Sequence, residues 1–236
     1  MHSGIRRTLM FAVLSAISMA TTACSSASKS TSAPRPSASE QQPLTEAQLT
    51  GALPDSDELP GFTTEPQSLA LLEAKDVVTT YQPSCRPIAD MMSVRPKYPR
   101  QAMVWATMQP NDAPPGVTPG SVTLTSHAVK DAKAWMVELR QALTKCGQFT
   151  ARSQRGWTHR FSVRPLSTAK AGDDSVTYLL TNALAPKGRG NVMTVVRTGG
   201  TFTTYLMNQD SDVLVPVPAS IANQQHKKLR AAAAQP

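Results

Sequence analysis

The chain is short of cysteine, aromatic residues and charge. Its 236 residues include three Cys, three Trp, four Tyr and five Phe, and only 17% are Asp, Glu, Lys or Arg. So few cysteines exclude a disulfide-dense scaffold, and so little charge argues against a highly charged disordered chain and against a coiled coil. The 19 prolines follow no glycine repeat, which excludes a collagen-like chain. The spacings that carry catalysis are also missing. There is no His-Glu-x-x-His, no Cys-x-x-Cys, no Gly-x-Ser-x-Gly and no phosphate-cradling loop ending in Lys-Ser/Thr. The expectation is a non-enzyme, with no catalytic residue, metal ligand or cofactor. What remains is a 40% hydrophobic fraction, enough for one sizeable core, and a net charge of +8 that permits an anionic partner without identifying it.

The first residues set the expected compartment. Arg6 and Arg7 form a positive start, Thr8 to Ala20 a moderately apolar run, and small residues lead to Cys24. Thirteen residues are too few for a permanent membrane span, so residues 1–23 read as a signal peptide. Thr21-Thr22-Ala23-Cys24 resembles a bacterial lipobox, which implies that Cys24 is lipidated and becomes the new N-terminus. An ordinary secreted protein cut near Ala23 is the alternative, and the paired arginines leave the general and twin-arginine export routes both open. Residues 25–43 contain no aliphatic side chain larger than Ala. Nothing there offsets the cost of ordering backbone, so 24–43 is expected to be a flexible tether with a reach of roughly 25 Å. The expected location is the outer face of the cell membrane. That makes nucleic acid a poor partner and favours the membrane itself, a small molecule, or an anionic component of the envelope.

With Cys24 set aside, Cys85 and Cys146 remain. Outside the cytoplasm a disulfide is the simplest outcome; two buried free thiols are the alternative, and a metal site lacks the usual paired spacing.

Residues 44–230 read as one domain, with 231–236 a disordered tail. Leu44–Leu53 is expected to be a helix capped by Thr45, with residues 63–81 ambiguous and a short helix over Cys85–Met92. Strands are expected over Ala102–Met108 and Ser121–His127. Val129–Lys145 then carries an apolar stripe of Ala132, Trp135, Met136, Leu139 and Leu143, ended by Gly147. Further strands fit 157–164, Ser175–Leu184 and Asn191–Met207, the last folded at Gly199-Gly200 so that Val195 faces Thr204, Met193 faces Leu206 and Arg197 faces Phe202. Pro216–Arg230 closes as a helix. The order predicts an α+β fold, a mostly antiparallel sheet with helices packed on one side.

Several of these features together resemble a family. The helix LTEAQLTGALP, the Cys before a short helix, the run VTLTSHAVKDAKAWMVELRQALTKC and the hairpin VVRTGGTFTTYLM look like the extracellular sensor domain of mycobacterial PknH-type kinases and of actinobacterial lipoproteins that share it. The resemblance covers about residues 44–230. It implies that sensor fold, a cleft that binds a ligand, and Cys85–Cys146 as a structural disulfide. It supplies no catalytic residue.

Candidate site residues are few. His127, His159 and His226 lack metal spacing, and Asp173-Asp174 reads as turn chemistry. Pro186 to Gly190 reads as a solvated hairpin tip. Between Glu138 and Asp173 there is no acid, while Arg152, Arg155, Arg160 and Arg164 fall in that stretch and make a candidate anion site. Seven methionines, Met91, Met92, Met103, Met108, Met136, Met193 and Met207, fill a core or line an adaptable apolar groove. The expected function is a surface-anchored ligand-binding or sensor-like domain. A lipid-handling carrier with an apolar cavity, or a cell-envelope interaction protein, is the alternative.

Overall fold

A computed structural model of the chain describes residues 42–112, 118–184, 190–209, 214 and 216–235. The leader, Cys24 and most of the tether lie outside the described residues, as do residues 186–189 of the expected hairpin tip.

Nine described strands form one sheet: β1 (Phe62–Pro66), β2 (Val78–Thr80), β3 (Ala102–Pro110), β4 (Gly120–Ser126), β5 (Gln148–Ser153), β6 (Thr158–Leu166), β7 (Asp174–Asn182), β8 (Gly190–Thr198) and β9 (Thr201–Gln209). Their order is β1-β3-β4-β9-β8-β7-β6-β5-β2. Every pair is antiparallel. The helices are α1 (Glu46–Ala52), α2 (Arg86–Met91), α3 (Val129–Lys145) and α4 (Ala219–Ala232). The fold is α+β.

Local chemistry explains most of these elements. The Thr45 side chain accepts from the Gln48 N–H at 3.3 Å while Gln48 Oε1 accepts from the Thr45 N–H at 2.9 Å, a reciprocal cap that starts α1. At the β8–β9 turn Gly199 takes φ 58°, a left-handed value open to glycine at little cost. The pairings Val195–Thr204, Met193–Leu206 and Arg197–Phe202 form as the turn requires. In β6, Val163 is buried and His159 and Phe161 are partly buried on the same side, as alternation predicts, with Trp157 partly buried just before the strand.

The helices do not all pack on one side, as the sequence led us to expect. Met193, Val195 and Phe202 pack with Trp135, Met136 and Leu139 beneath α2 and α3. Val192, Val196, Tyr205 and Met207 face the other way, beneath Leu49 of α1 and Ile221 and Leu229 of α4. In the sequence the second face reads as mixed, because Thr194 and Thr203 stand among Val192, Val196, Tyr205 and Met207. Both threonines are buried nonetheless, and the Thr194 hydroxyl lies 3.3 Å from that of Thr177 on the adjacent strand. That contact supplies the hydrogen bond which burial would otherwise remove. α4 also runs to Ala232, two residues into the expected tail.

Three strands were not expected. β1 and β2 emerge from the ambiguous stretch and form opposite edges of the sheet. β5 begins just after α3, with Phe149 and Ala151 its only buried side chains, too short an alternation to announce a strand.

Candidate functional site

A cavity of about 220 Å³ lies on the α2/α3 side of the sheet. Its floor follows from alternation. Val122 and Leu124 of β4 point into the α1/α4 core, so Ser121, Thr123 and Thr125 point into the cavity, beside Phe202, Thr204 and Leu206 of β9. Met103 and Met193 reach in from β3 and β8, Met91 and Met92 from the end of α2, and Trp135 from α3. Four of the seven methionines noted in the sequence therefore line one space. Met108, Met136 and Met207 are core residues.

Two devices hold the walls. The Cys85–Cys146 disulfide ties the start of α2 to the end of α3 across 61 positions, and the Trp135 indole N–H donates to the Pro87 carbonyl at 3.2 Å. The remaining wall, Leu71 and Leu72, belongs to a strap between β1 and β2. Trp105 pins its first part by donating to the Leu69 carbonyl at 2.7 Å. Arg155 pins its second part through Glu73, at 2.8 Å, and Asp76.

Arg100 also lines the cavity, over the Trp135 ring, and His127 packs edge-on against the same indole. The Arg100 guanidinium lies 5.6 Å from the indole and donates to the carbonyls of Asp90 (3.1 Å), Met91 (3.4 Å) and Ser93 at the end of α2. Burial pushes its pKa down to about 10, opposed by the charge of Asp90, and its Nε has no hydrogen-bond partner among the described residues. His127 Nδ1 is 3.0 Å from the Pro99 carbonyl, which only accepts, so Nδ1 carries the proton. Nε2 then accepts from the Thr125 hydroxyl at 3.1 Å. Burial, and then the nearby Arg100 charge, push the His127 pKa down to about 4, so the ring is neutral. Thr125 spends its proton on His127 and keeps lone pairs on the cavity side. The site thus offers a mostly apolar surface with hydroxyl acceptors on its floor and the Arg100 guanidinium in its wall.

The four arginines singled out from the sequence do not meet here. Arg152, Arg160 and Arg164 lie on the opposite face of the sheet, on β5 and β6, and none lines the cavity. Arg155 falls in the β5–β6 turn, where it serves the strap. The other candidates take structural places. Asp173 accepts from Gly199 N–H at 2.7 Å and pairs with Arg197 and Arg230, and Asp174 pairs with Arg140. His226 Nδ1 is 2.8 Å from the Thr198 hydroxyl, and burial lowers its pKa against the pull of Asp173. The His159 ring lies 4.9 Å from that of Trp157 and 6.3 Å from that of Phe161. Sequence reasoning missed Leu71, Leu72, Arg100 and the Ser/Thr floor. The alternation in Ser121–Thr125 was a visible signal for the floor alone.

No family model matches the sequence, and no curated protein matches it. The fold does have a match. The extracellular domain of PknH from Mycobacterium tuberculosis aligns with a TM-score of 0.55 over 81% of this chain and 99% of that one, at 14% identity. The likeness expected from the sequence therefore holds at the level of the fold.

Proposed function

We propose that the chain is a non-enzymatic, extracytoplasmic domain, anchored through a lipid on Cys24, that binds a small, mainly apolar molecule in the methionine-lined cavity. The cavity is the observation that carries this reading. Its apolar walls supply affinity by burial, its methionines adapt to shape, and its hydroxyl floor orients a donor group. The shared fold with an extracellular domain supports the placement outside the cytoplasm. Size separates the two leading readings. Typical ligand pockets run to about 300–1,000 Å³, and this space is smaller. It suits one small ligand or the end of one chain rather than a two-chain lipid, which favours the binder over the carrier.

The test is mass spectrometry of small molecules retained by protein purified from its own envelope, beside a Thr123→Phe variant that fills the floor. A bound species present in the unaltered protein and lost from the folded variant supports the reading. Retention of the same species by the filled variant, or an empty unaltered protein, overturns it.

A further inference from the structure

Among the described residues, β5 and β6 leave one face without a helix over it. On the α1/α4 side, β5 and β6 expose Arg152, Thr158, Arg160, Ser162 and Arg164 in alternation, while their other side packs Phe149, Ala151 and Val163 beneath α3. Arg160 lies opposite Thr150, and Arg152 lies opposite Thr158, so the two guanidiniums stem from diagonal positions on adjacent strands. Their partners are neutral. Arg152 donates to the Tyr81 hydroxyl at 2.8 Å and lies 4.8 Å from its ring, and Arg160 donates to the Gln148 side chain at 2.5 Å. Among the described residues no carboxylate pairs with Arg152, Arg160 or Arg164. By contrast Arg86, Arg140, Arg155, Arg197 and Arg230 each pair with one.

Two exposed apolar side chains flank this charge. Tyr81, 74% exposed, follows Thr80, which pairs with Ala151; Tyr81 therefore ends the row that continues through Thr150 and Arg160. At the far end of the row, Ala183 N–H donates to the Arg160 carbonyl at 2.7 Å, and Leu184, 78% exposed, follows it. Three inter-strand steps separate Tyr81 from the Leu184 turn, roughly 14 Å.

We propose that this face docks on the surface of an anionic lipid bilayer. Unpaired arginines fit phosphate oxygens, a tyrosine suits the headgroup layer, and a protruding leucine gains free energy only where acyl chains are within reach. A polysaccharide or polyphosphate polymer would satisfy the arginines and leave Leu184 in water. The apolar flanks therefore select the bilayer. The cavity lies on the other side of the sheet, so this surface stands independently of the ligand.

The test uses the chain from residue 24 onward carrying Cys24→Ser, which removes any lipid. Co-sedimentation at low salt with phosphatidylcholine vesicles containing phosphatidylglycerol should show binding that pure phosphatidylcholine lacks. Arg152→Gln with Arg160→Gln should weaken it roughly 25-fold, taking about fivefold per basic residue. Leu184→Ser should weaken it several-fold with the arginines intact. Lys130→Gln with Lys133→Gln, exposed on α3, should leave it unchanged. Equal loss from the α3 pair would mean attraction by net charge alone, and would overturn the proposal. So would an unchanged Leu184→Ser, or soluble polyphosphate binding as tightly as the vesicles.

Discussion

His127 stands edge-on to Trp135, with ring centroids 5.4 Å apart and planes at 89°. The indole wall of the cavity thus leans on an imidazole that must remain neutral, because Arg100 lies close and Nε2 is the acceptor for Thr125. Protonation would add a second buried positive charge and turn an accepting nitrogen into a donor facing a hydroxyl proton.

Stability should therefore depend on pH through His127. Its folded pKa, about 4, lies below the ordinary 6.5, so the unfolded chain binds the extra proton first. The contribution is full above pH 6.5 and is lost as pH falls toward 4, costing up to about 3 kcal/mol. Urea unfolding at pH 7 and pH 4 should show a larger difference for the unaltered protein than for His127→Gln. Equal differences would show that His127 does not carry it.

The Cys85–Cys146 bond closes a loop whose ends are 61 positions apart, worth about 4 kcal/mol in the chain-entropy picture. Cys85→Ala with Cys146→Ala should lower the melting temperature by roughly 8–16 °C for a domain of this size. Because the bond joins the elements that hold Met91, Met92 and Trp135, ligand retention should fall before the protein unfolds. Calorimetry beside the retention assay measures both.

Arg155 should matter to motion more than to stability. Its partners are Asp76 and Glu73 on the strap, and it is solvent-accessible, so Arg155→Ala should leave the melting temperature almost unchanged. Hydrogen exchange should quicken at Val94, whose N–H donates to the Asp76 carbonyl at 2.8 Å. Unaltered exchange there would mean that Arg155 does not hold the strap.

Gly200 should resist substitution. A Cβ there would stand 2.4 Å from the His127 carbonyl oxygen, while His127 N–H donates to the Gly200 carbonyl at 2.9 Å. Gly200→Ala must part the hairpin from the β4–α3 junction, at a cost of about 1–3 kcal/mol. Denaturant melts of Gly200→Ala against Gly51→Ala, where nothing lies within 4 Å, isolate the clash.

The anchor has its own test. Cys24→Ala should release the protein from the membrane fraction or leave the leader attached. A substituted protein that is cut at the same site and still sediments with membranes would remove Cys24 from the account.

The parts legible in the sequence were those specified within a few residues. Gly199-Gly200 is a complete turn instruction, so the whole β8–β9 register could be read from it. Thr45 and Gln48 likewise contain both halves of a cap. The three residues of β2 carry no such instruction; β5 makes them a strand by pairing with them. The cavity was illegible for a related reason. Met91, Met103 and Met193 look alike to a sequence reader whether they fill a core or line a space, and the strap carrying Leu71 and Leu72 decides which. The unpaired arginines were visible as a stretch without acids. The removal of Arg155 from that set was not, because Asp76 and Glu73 approach it from far along the chain.

Both edges of the sheet come from the first 80 residues, which bears on how the protein is made. Synthesised from its N-terminus, the chain presents Val78 long before Ser153, the residue Val78 must face. The β5–β9 run can zip by successive neighbours, whereas β2 must wait for β5 to close a long loop onto it. Such distant pairing makes assembly slow and leaves strand edges open meanwhile. β2, with three residues, offers little edge for a second chain to join during that wait.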